Sequence, residues 1–248
     1  MSKQLFFEKT GNVAVITLNN PAKDNVLSAE TARQLIDLCS DMAADAEIKA
    51  IIITGSGEKS FCKGQERDAG PGRSLSVATA VAAMQCPVIA AINGDAYAEG
   101  LELALACDIR IAAPSAMFCL PAIQSGALPE EGGTQRLPRI IGVTKAMEMA
   151  LTGESIDAAE ALRIGLISRF VEPIGLLAAA SEMAEAMTTK SPLALSYAKE
   201  AINKGLDLTL EQGLRLEADL YFLLHTTEDR SEGIKAFREK RKPEFKGK

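Results

Sequence analysis

The sequence lacks tryptophan, and only 4% of its 248 residues are aromatic. Apolar residues nevertheless make up 47% of the chain, so its interior must be built mainly from alanine, isoleucine, leucine and valine. A chain of this length can bury about 70–75% of its unfolded surface without disulfides or metals as staples. Its length predicts one large domain, or one domain with an extension.

Positive charge is in deficit, because 27 lysine and arginine residues face 33 aspartate and glutamate residues and the net charge is −6. This balance argues against binding to nucleic acid or to a membrane surface. No apolar run approaches the roughly 20 residues of a membrane span. The N-terminal segment has no long apolar region typical of a signal peptide. We therefore expect a cytoplasmic protein that binds neither nucleic acid nor membranes.

Cysteine and histidine are too few and too scattered for several kinds of site. The five cysteines form no C-x-x-C pair, so we expect neither a disulfide framework nor a zinc site. The single histidine, His225, would have to serve any Ser-His-Asp triad, and no G-x-S-x-G elbow accompanies it. The segment 55–60 does not have the glycine and lysine spacing of a P-loop. These patterns predict no metal.

The hydrophobic pattern differs between the two halves of the chain. In the first half, short apolar runs alternate with helical stretches, and in the second half only helices are predicted, which favours a layered α/β domain. Ser28 is predicted to cap a helix. Strands are predicted at 4–9, 12–18, 50–54, 88–93 and 108–113, and further helices at 74–85, 99–106, 134–140, 144–151, 157–163, 175–189, 192–204 and 209–226.

Two segments place polar residues and glycines at predicted turns. The first is Phe61-Cys62-Lys63-Gly64-Gln65-Glu66, and the second runs from strand to short helix to strand over residues 93–108. A helix that begins near Glu99 directs backbone N–H groups and partial positive charge at its N-terminus. Such groups can stabilise a developing oxyanion. Glu102 lies one turn into this helix, where the alternative role is that of a solvent-facing side chain.

Through these segments and several others, the sequence resembles the crotonase (enoyl-CoA hydratase/isomerase) superfamily over nearly its whole length. The resemblance implies an α/β spiral of ββα units over residues 1–190 and a helical C-terminal trimerisation region over residues 191–248. It also implies a homotrimer, or a homohexamer made of two trimers. The matching stretches are VAVITLNNP, F-x-x-G at 61–64, PVIAAINGDA, GLELALACDIRIA, GGTQRLPRIIG, AMEMALTGE and FREKRKPEF.

The resemblance implies a lyase of fatty acid metabolism, an enoyl-CoA hydratase that adds water to, or removes it from, an acyl-CoA thioester. The backbone N–H groups of Gln65 and Glu99 match the family's oxyanion hole, which stabilises an enolate. Glu102 matches the first of the two glutamates that hydratases of this family use. Proton transfer to and from such carboxylates is what hydration of an enoyl thioester requires.

The family also implies the contacts to coenzyme A. Lys63 and Gly64 lie in the loop along which the family binds coenzyme A, and Lys240 matches a lysine that reaches the cofactor phosphates. A solvated helix end is the alternative for Lys240. Coenzyme A arrives as part of the substrate, so we expect an acyl-CoA partner and no separate cofactor.

The sequence departs from the family at its acid positions. Ala122 stands where the family has its second glutamate, and alanine cannot exchange a proton. Glu130 or Glu131 could supply the second carboxylate, or the two could form an exposed loop pair. Glu99 replaces the usual glycine of the oxyanion hole; its N–H remains, and the direction of its side chain is left open.

These departures keep alternatives open beside the hydratase. The first is an isomerase that moves a double bond in an enoyl- or dienoyl-CoA, and the second is other enolate chemistry, such as decarboxylation. A non-catalytic acyl-CoA binder is an alternative from a different class, which Ala122 favours and Glu102 disfavours. The oxyanion hole serves all the enzymes, so the positions of the acids distinguish them.

Overall fold

The computed structural model describes residues 4–66 and 76–248. In this part of the chain the strands form two sheets, one of six strands and one of four. In chain order the strands are β1 (Leu5–Thr10), β2 (Val13–Leu18), β3 (Ala50–Gly55), β4 (Ser60–Cys62), β5 (Val88–Ile92), β6 (Asp95–Tyr97), β7 (Ile109–Ala112), β8 (Met117–Cys119), β9 (Ile156–Asp157) and β10 (Arg169–Phe170).

The larger sheet has the order β1-β2-β3-β5-β7-β10. Its first two strands form an antiparallel hairpin, and each of the following pairs is parallel. All residues of β3 and β5 are buried, as expected for central parallel strands covered on both faces. The smaller sheet has the order β4-β6-β8-β9, in which only the last pair is antiparallel among the described strands.

Helices connect the strands in the first half of the chain and make up most of the second half. Ser28 caps the first of them, because its Oγ accepts the N–H of Thr31 at 3.1 Å. The helices are α1 (Ala29–Ala44), α2 (Val77–Ala82), α3 (Glu99–Ala106), α4 (Gly133–Ile141), α5 (Val143–Thr152), α6 (Ala158–Arg163), α7 (Pro173–Thr188), α8 (Pro192–Gly205), α9 (Leu210–His225) and α10 (Glu228–Glu239).

The core has two apolar layers, one on each face of the larger sheet. Alternation along β3 sends Ile51 and Ile53 into one layer and Ile52 into the other. The second layer lies under α7, where Ala180 and Ala184 are fully buried against the sheet. Alanine in this helix allows close packing, which explains how a chain with few aromatic residues fills its interior.

Most of the predicted helices and strands are confirmed, with three differences. The helix predicted over 74–85 is shorter and spans Val77–Ala82, while residues 74 and 75 lie outside the described residues. The strands of the smaller sheet and β10 are only two or three residues long, too short for a periodic signal. Helix α10 was not predicted, because its mean hydropathy is low and few of its side chains are buried.

Helices α7 and α8 are separated by a short connection near residue 190. Helix α7 ends at Thr188, and Ser191 caps α8 by accepting the N–H of Ala194 at 3.3 Å. The division into residues 1–190 and 191–248 stays a prediction. Within the described ranges, no helix combines the length and apolar character needed to cross a membrane.

Candidate active site

Two buried asparagines hold the segment that connects β3 to β4. Asn93 accepts the N–H of Gly55 at 2.9 Å and donates to the carbonyls of Gly57 and Ser60. Asn25 donates to the same Ser60 carbonyl at 2.7 Å. Paired buried amides of this kind lock the backbone, so the position of β4 and of the loop after it is well defined.

The loop over residues 61–66 lies directly against the start of α3. A Cβ at Gly100 would overlap the carbonyl of Cys62, so only glycine allows this approach. The loop is also tied to the segment before α1: Leu27 donates to the Gly64 carbonyl at 2.9 Å, and Glu66 donates to the Leu27 carbonyl at 2.7 Å. The backbone around Gln65 is therefore held on both sides.

A strained turn joins β6 to α3. Ala98 has φ 50° and ψ −128°, a conformation that residues with a side chain rarely adopt. Its N–H donates to the carbonyl of Cys119 at 3.0 Å, which fixes the turn against β8. The helix then begins at Glu99, and the first N–H groups of a helix lie outside its own hydrogen-bond ladder. The sequence did not single out Ala98, although this residue lies within the segment over residues 93–108.

Glu102 is a buried carboxylate with two backbone donors. Glu102 is only 2% exposed. Its Oε1 accepts hydrogen bonds from the backbone N–H groups of Glu131 at 2.8 Å and Gly133 at 2.7 Å. Burial raises the pKa of Glu102 to about 7; the two N–H donors oppose this shift, and the nearby carboxylates of Glu99 and Glu131 add to it. Such a group can take up or release a proton near neutral pH.

The GGTQR segment supplies these donors. Gly133 is the first residue of α4, and a Cβ there would lie 3.1 Å from Glu102 Oε1 and 3.0 Å from the side chain of Pro129. A larger residue would force the glutamate to move. The glycine thus allows the N-terminus of α4 to approach and orient the carboxylate.

The side chain of Glu99 turns toward the loop. Its Oε2 lies 3.3 Å from the backbone nitrogen of Gln65, which donates to it. Glu99 is 7% exposed, and a Cβ at Gly64 would lie only 2.6 Å from the same Oε2. The structure therefore brings together the two residues predicted to form an oxyanion hole, and it places the Glu99 carboxylate on one of the two N–H groups.

A cavity of about 340 Å³ opens beside these residues. Glu99 and Glu102 line it together, and Ala122 also belongs to its lining. The small side chain of Ala122 leaves room where the family has a glutamate. The full lining among the described residues is Ala98, Glu99, Glu102, Leu120, Pro121, Ala122, Gln124, Ser125 and Pro129.

The two acids predicted as alternatives, Glu130 and Glu131, do not belong to the described lining of this cavity. Glu131 is buried, and its carboxylate accepts the N–H of Ala78 at 2.9 Å, near the start of α2. Its backbone N–H is one of the two that donate to Glu102. Glu130 is half-buried. Of the residues from 129 to 131, only Pro129 lines the described cavity.

The predicted coenzyme A contacts lie in different environments. The Lys63 ammonium is 3.0 Å from Asp95, 3.9 Å from Asp24 and 5.3 Å from the ring centroid of Tyr97. Burial alone would lower the pKa of Lys63, but the hydrogen bond and charge of Asp95 raise it above the ordinary value. Lys240 is exposed and follows α10 with a positive φ of 56°.

Comparison with known proteins identifies the class of this chain. Residues 8–248 match the family described as enoyl-CoA hydratase/isomerase, and the chain belongs to that family. It is 41% identical to the (E)-benzylidenesuccinyl-CoA hydratase of Thauera aromatica, covering 97% of this chain and 98% of that one. It is 38% identical to the crotonyl-CoA hydratase of Syntrophomonas wolfei, covering 98% of each chain.

The fold agrees with the family. The crystal structure of an enoyl-CoA hydratase from Bacillus anthracis matches with a TM-score of 0.94 at 38% identity, covering 99% of this chain and 100% of that one. The α/β fold implied by the resemblance is therefore confirmed, and a helical C-terminal region is present.

Proposed function

We propose that this protein is an enoyl-CoA hydratase that adds water across the double bond next to a thioester carbonyl. The observation that supports this most directly is that Glu99 and Glu102 line one cavity and that the Gln65 N–H donates to Glu99 beside it. The relatives from Thauera aromatica and Syntrophomonas wolfei, which match over nearly their full length, are both named as hydratases.

The oxyanion hole would bind the thioester oxygen through the backbone N–H groups of Gln65 and Glu99. Charge develops on that oxygen when the β-carbon is attacked, so preorganised donors stabilise the transition state more than the substrate. Each such donor typically contributes about 3–4 kcal/mol. Because the donors belong to the backbone, replacing the family's glycine by Glu99 retains the group that the chemistry needs.

Glu102 would act as the base in the hydration direction. It takes one proton from water as the water oxygen bonds to the β-carbon, and the electrons of the double bond move onto the thioester oxygen as an enolate. The α-carbon then takes a proton from a second acid, so that the net change is addition of one water. The two N–H donors on Oε1 favour the ionised form that a base requires.

The second acid must come from a residue other than Ala122. Glu130 and Glu131 are the candidates predicted from the sequence, and the cavity lining adds Glu99. Replacing each by glutamine in turn tests the three. The residue that protonates the α-carbon should lose about a hundredfold or more in kcat, because general acid catalysis typically contributes 10²–10⁴-fold.

Coenzyme A would enter as part of the substrate and lie along the 61–66 loop. We propose that Lys63 and Gly64 border its path and that Lys240 meets its phosphates. A lysine ammonium is a suitable phosphate partner, and Lys240 is exposed enough to reach one. Substitution of Lys240 by alanine should raise KM for coenzyme A thioesters while leaving kcat nearly unchanged.

We further propose that the protein works as a homotrimer or a homohexamer. In a single chain, α9 exposes an apolar stripe made of Leu210, Leu214 and Tyr221, which are 80%, 56% and 55% exposed. Large exposed apolar patches of this kind mark association surfaces.

The five cysteines carry free thiols. Free thiols suit the reducing cytoplasm, where we place the protein and its role in fatty acid metabolism.

Turnover of crotonyl-CoA tests the function, followed as the loss of its conjugated thioester absorbance. The wild type should remove the absorbance rapidly, and Glu102→Gln should be about 10²–10⁴-fold slower. No loss with a wild type that still binds acyl-CoA would refute a hydratase of simple enoyl thioesters. Deuterium entering the α-position in D₂O would then indicate isomerase or other enolate chemistry, and its absence would indicate a binder.

A further inference from the structure

We infer that Glu99 is a substrate-displaced acid: its carboxylate competes with the thioester oxygen for the Gln65 N–H, and once displaced into the cavity beside Ala122 it becomes the second carboxylate of the reaction. This inference rests on the proposed function, since it concerns the same site. It assigns to one side chain both a role in selecting acyl thioesters and a role in proton transfer.

The Glu99 carboxylate lies on the N–H group that the thioester oxygen needs. Glu99 Oε2 accepts from Gln65 N at 3.3 Å, which is the bond that a thioester oxygen would need. One N–H cannot donate a full hydrogen bond to both oxygens. The acyl group therefore has to displace the carboxylate before the enolate can be stabilised.

The Glu99 carboxylate occupies a confined space. Glu99 is 7% exposed, although it is charged and stands at the start of a helix. Gly64 has φ 121°, and any side chain at this position would lie within 2.6 Å of Glu99 Oε2. A thioester oxygen entering beside Gly64 therefore meets the same confined space, so the two groups cannot occupy it together.

The cavity beside Ala122 offers space for the displaced Glu99 carboxylate. Glu99 already lines the cavity of about 340 Å³ that Glu102 and Ala122 also line. Rotation about its side-chain bonds would carry the carboxylate into this space while its backbone N–H stays in the hole. There it would share the cavity with the base Glu102 and with Ala122, the position at which the family has its second acid.

The acid step balances without another reactant. Water loses one proton to Glu102 and its oxygen bonds to the β-carbon, while Glu99, which takes a proton from solvent after it leaves the Gln65 N–H, gives that proton to the α-carbon. Glu102 then releases its proton to solvent and Glu99 returns to the carboxylate, so the net change is the addition of one water. No oxidant or reductant takes part.

The test compares ligands with and without a thioester carbonyl. Butyryl-CoA is saturated and cannot be hydrated, and free coenzyme A ends in a thiol, so only the former competes with Glu99. By calorimetry, Glu99→Ala should bind butyryl-CoA about tenfold more tightly, while its Kd for coenzyme A stays unchanged. Equal Kd values for butyryl-CoA in wild type and variant would overturn the displacement.

Turnover of crotonyl-CoA tests the acid role. Glu99→Ala and Glu99→Gln should both lose at least about a hundredfold in kcat, because neither can give a proton. Glu99→Gln keeps the shape of the side chain and should not tighten butyryl-CoA as the alanine variant does. Unchanged kcat in Glu99→Gln would overturn the assignment as second acid.

Glu8→Ala is the matched control. It removes one exposed negative charge from β1, outside both the 61–66 loop and the described cavity lining. It should alter the Kd values of butyryl-CoA and coenzyme A equally, if at all, and leave kcat unchanged. A wild type that turns over no enoyl-CoA would refute the proposed function, and the two Kd comparisons would still decide whether Glu99 is displaced.

Discussion

Glu102 is a carboxylate that the fold removes from water and then supports with two backbone N–H groups. Burial favours the protonated form and the donors favour the ionised form, and burial has the larger effect, so that the pKa rises to about 7. Without the donors, burial would raise it further. The balance between these two effects is what makes one glutamate useful near neutral pH.

This pKa predicts the pH dependence of hydration. Glu102 works as a base only when it is ionised, so log kcat/KM should fall by about one unit per pH unit below pH 7 and level off above it. Initial rates with crotonyl-CoA at limiting concentration from pH 5 to 8 measure the profile. The residual activity of Glu102→Gln should be flat in that range, and a flat wild-type profile would contradict the assignment.

Ala98 shows strain at the scale of one residue. Its φ of 50° with ψ −128° suits glycine, and such a conformation costs on the order of 1–3 kcal/mol. Substitution by glycine relieves the strain but adds about 0.4–1 kcal/mol of unfolded-state entropy. Ala98→Gly should therefore increase the free energy of unfolding by about 1 kcal/mol. In a chain of this size, that increase raises the midpoint of thermal unfolding by about 2–4 °C.

Thermal unfolding with Ala104→Gly as the control checks this expectation. Ala104 is buried in the interior of α3, where glycine should lower the midpoint. If Ala98→Gly lowered the midpoint as much as Ala104→Gly does, the turn would not be strained.

Helix α3 is the element on which the site depends. It carries Glu99 and Glu102 and packs against the end of β4 through Gly100. The first residue of α4, Gly133, donates its N–H to Glu102 of this helix. Every residue of α3 is buried, which is unusual for a helix of eight residues that begins with two acidic groups in its first turn. Its packing therefore serves the position of the carboxylates as well as stability.

Substitution of Gly100 tests this packing. Gly100→Ala places a methyl group onto the Cys62 carbonyl and should lower the free energy of unfolding by about 3 kcal/mol or more, since neither backbone can yield easily. Gly205→Ala is the control, because a Cβ there meets nothing within 4 Å at the end of α8. Urea unfolding measures the free energy of unfolding of both variants. Equal values for Gly100→Ala and Gly205→Ala would show that α3 can move away from β4.

In a single chain, helices α9 and α10 expose large apolar side chains. Leu210, Leu214 and Tyr221 repeat on one face of α9, and α10 presents Phe237 at 84% exposure. Apolar area of this extent stabilises a protein only when another surface covers it, at roughly 25 cal/mol per Å². This is the physical basis for expecting association of several chains.

Light scattering after gel filtration measures the assembly. The wild type should have the mass of three or six chains, and Leu210→Lys combined with Leu214→Lys should reduce it toward one chain, because two charges would be buried in the interface. Ser40→Lys with Ala44→Lys is the control, since both positions are exposed on α1 at the same spacing. A wild type of one-chain mass would contradict the proposed assembly.

Much of the fold could be predicted from local patterns. Central strands such as Ala50–Gly55 are continuous apolar runs, and Ser28 is a side-chain cap that any helix start can use. The strands of the smaller sheet were not predicted, because segments of two or three residues are defined by their partners in space. Of the site, Gln65, Glu99 and Glu102 were recognised through motifs, but Ala98 was not.

The longer strands and helices, the acidic balance and the family motifs can all be read from composition or from residues close together in the chain, so the sequence alone was enough to establish them. The direction of each carboxylate is different in kind. Glu99 meets Gln65 across 34 residues, and Glu102 meets Gly133 across 31. Such contacts depend on how glycine lets one backbone approach another, and only the packed tertiary structure decides them, because a local pattern contains no distance between separate segments.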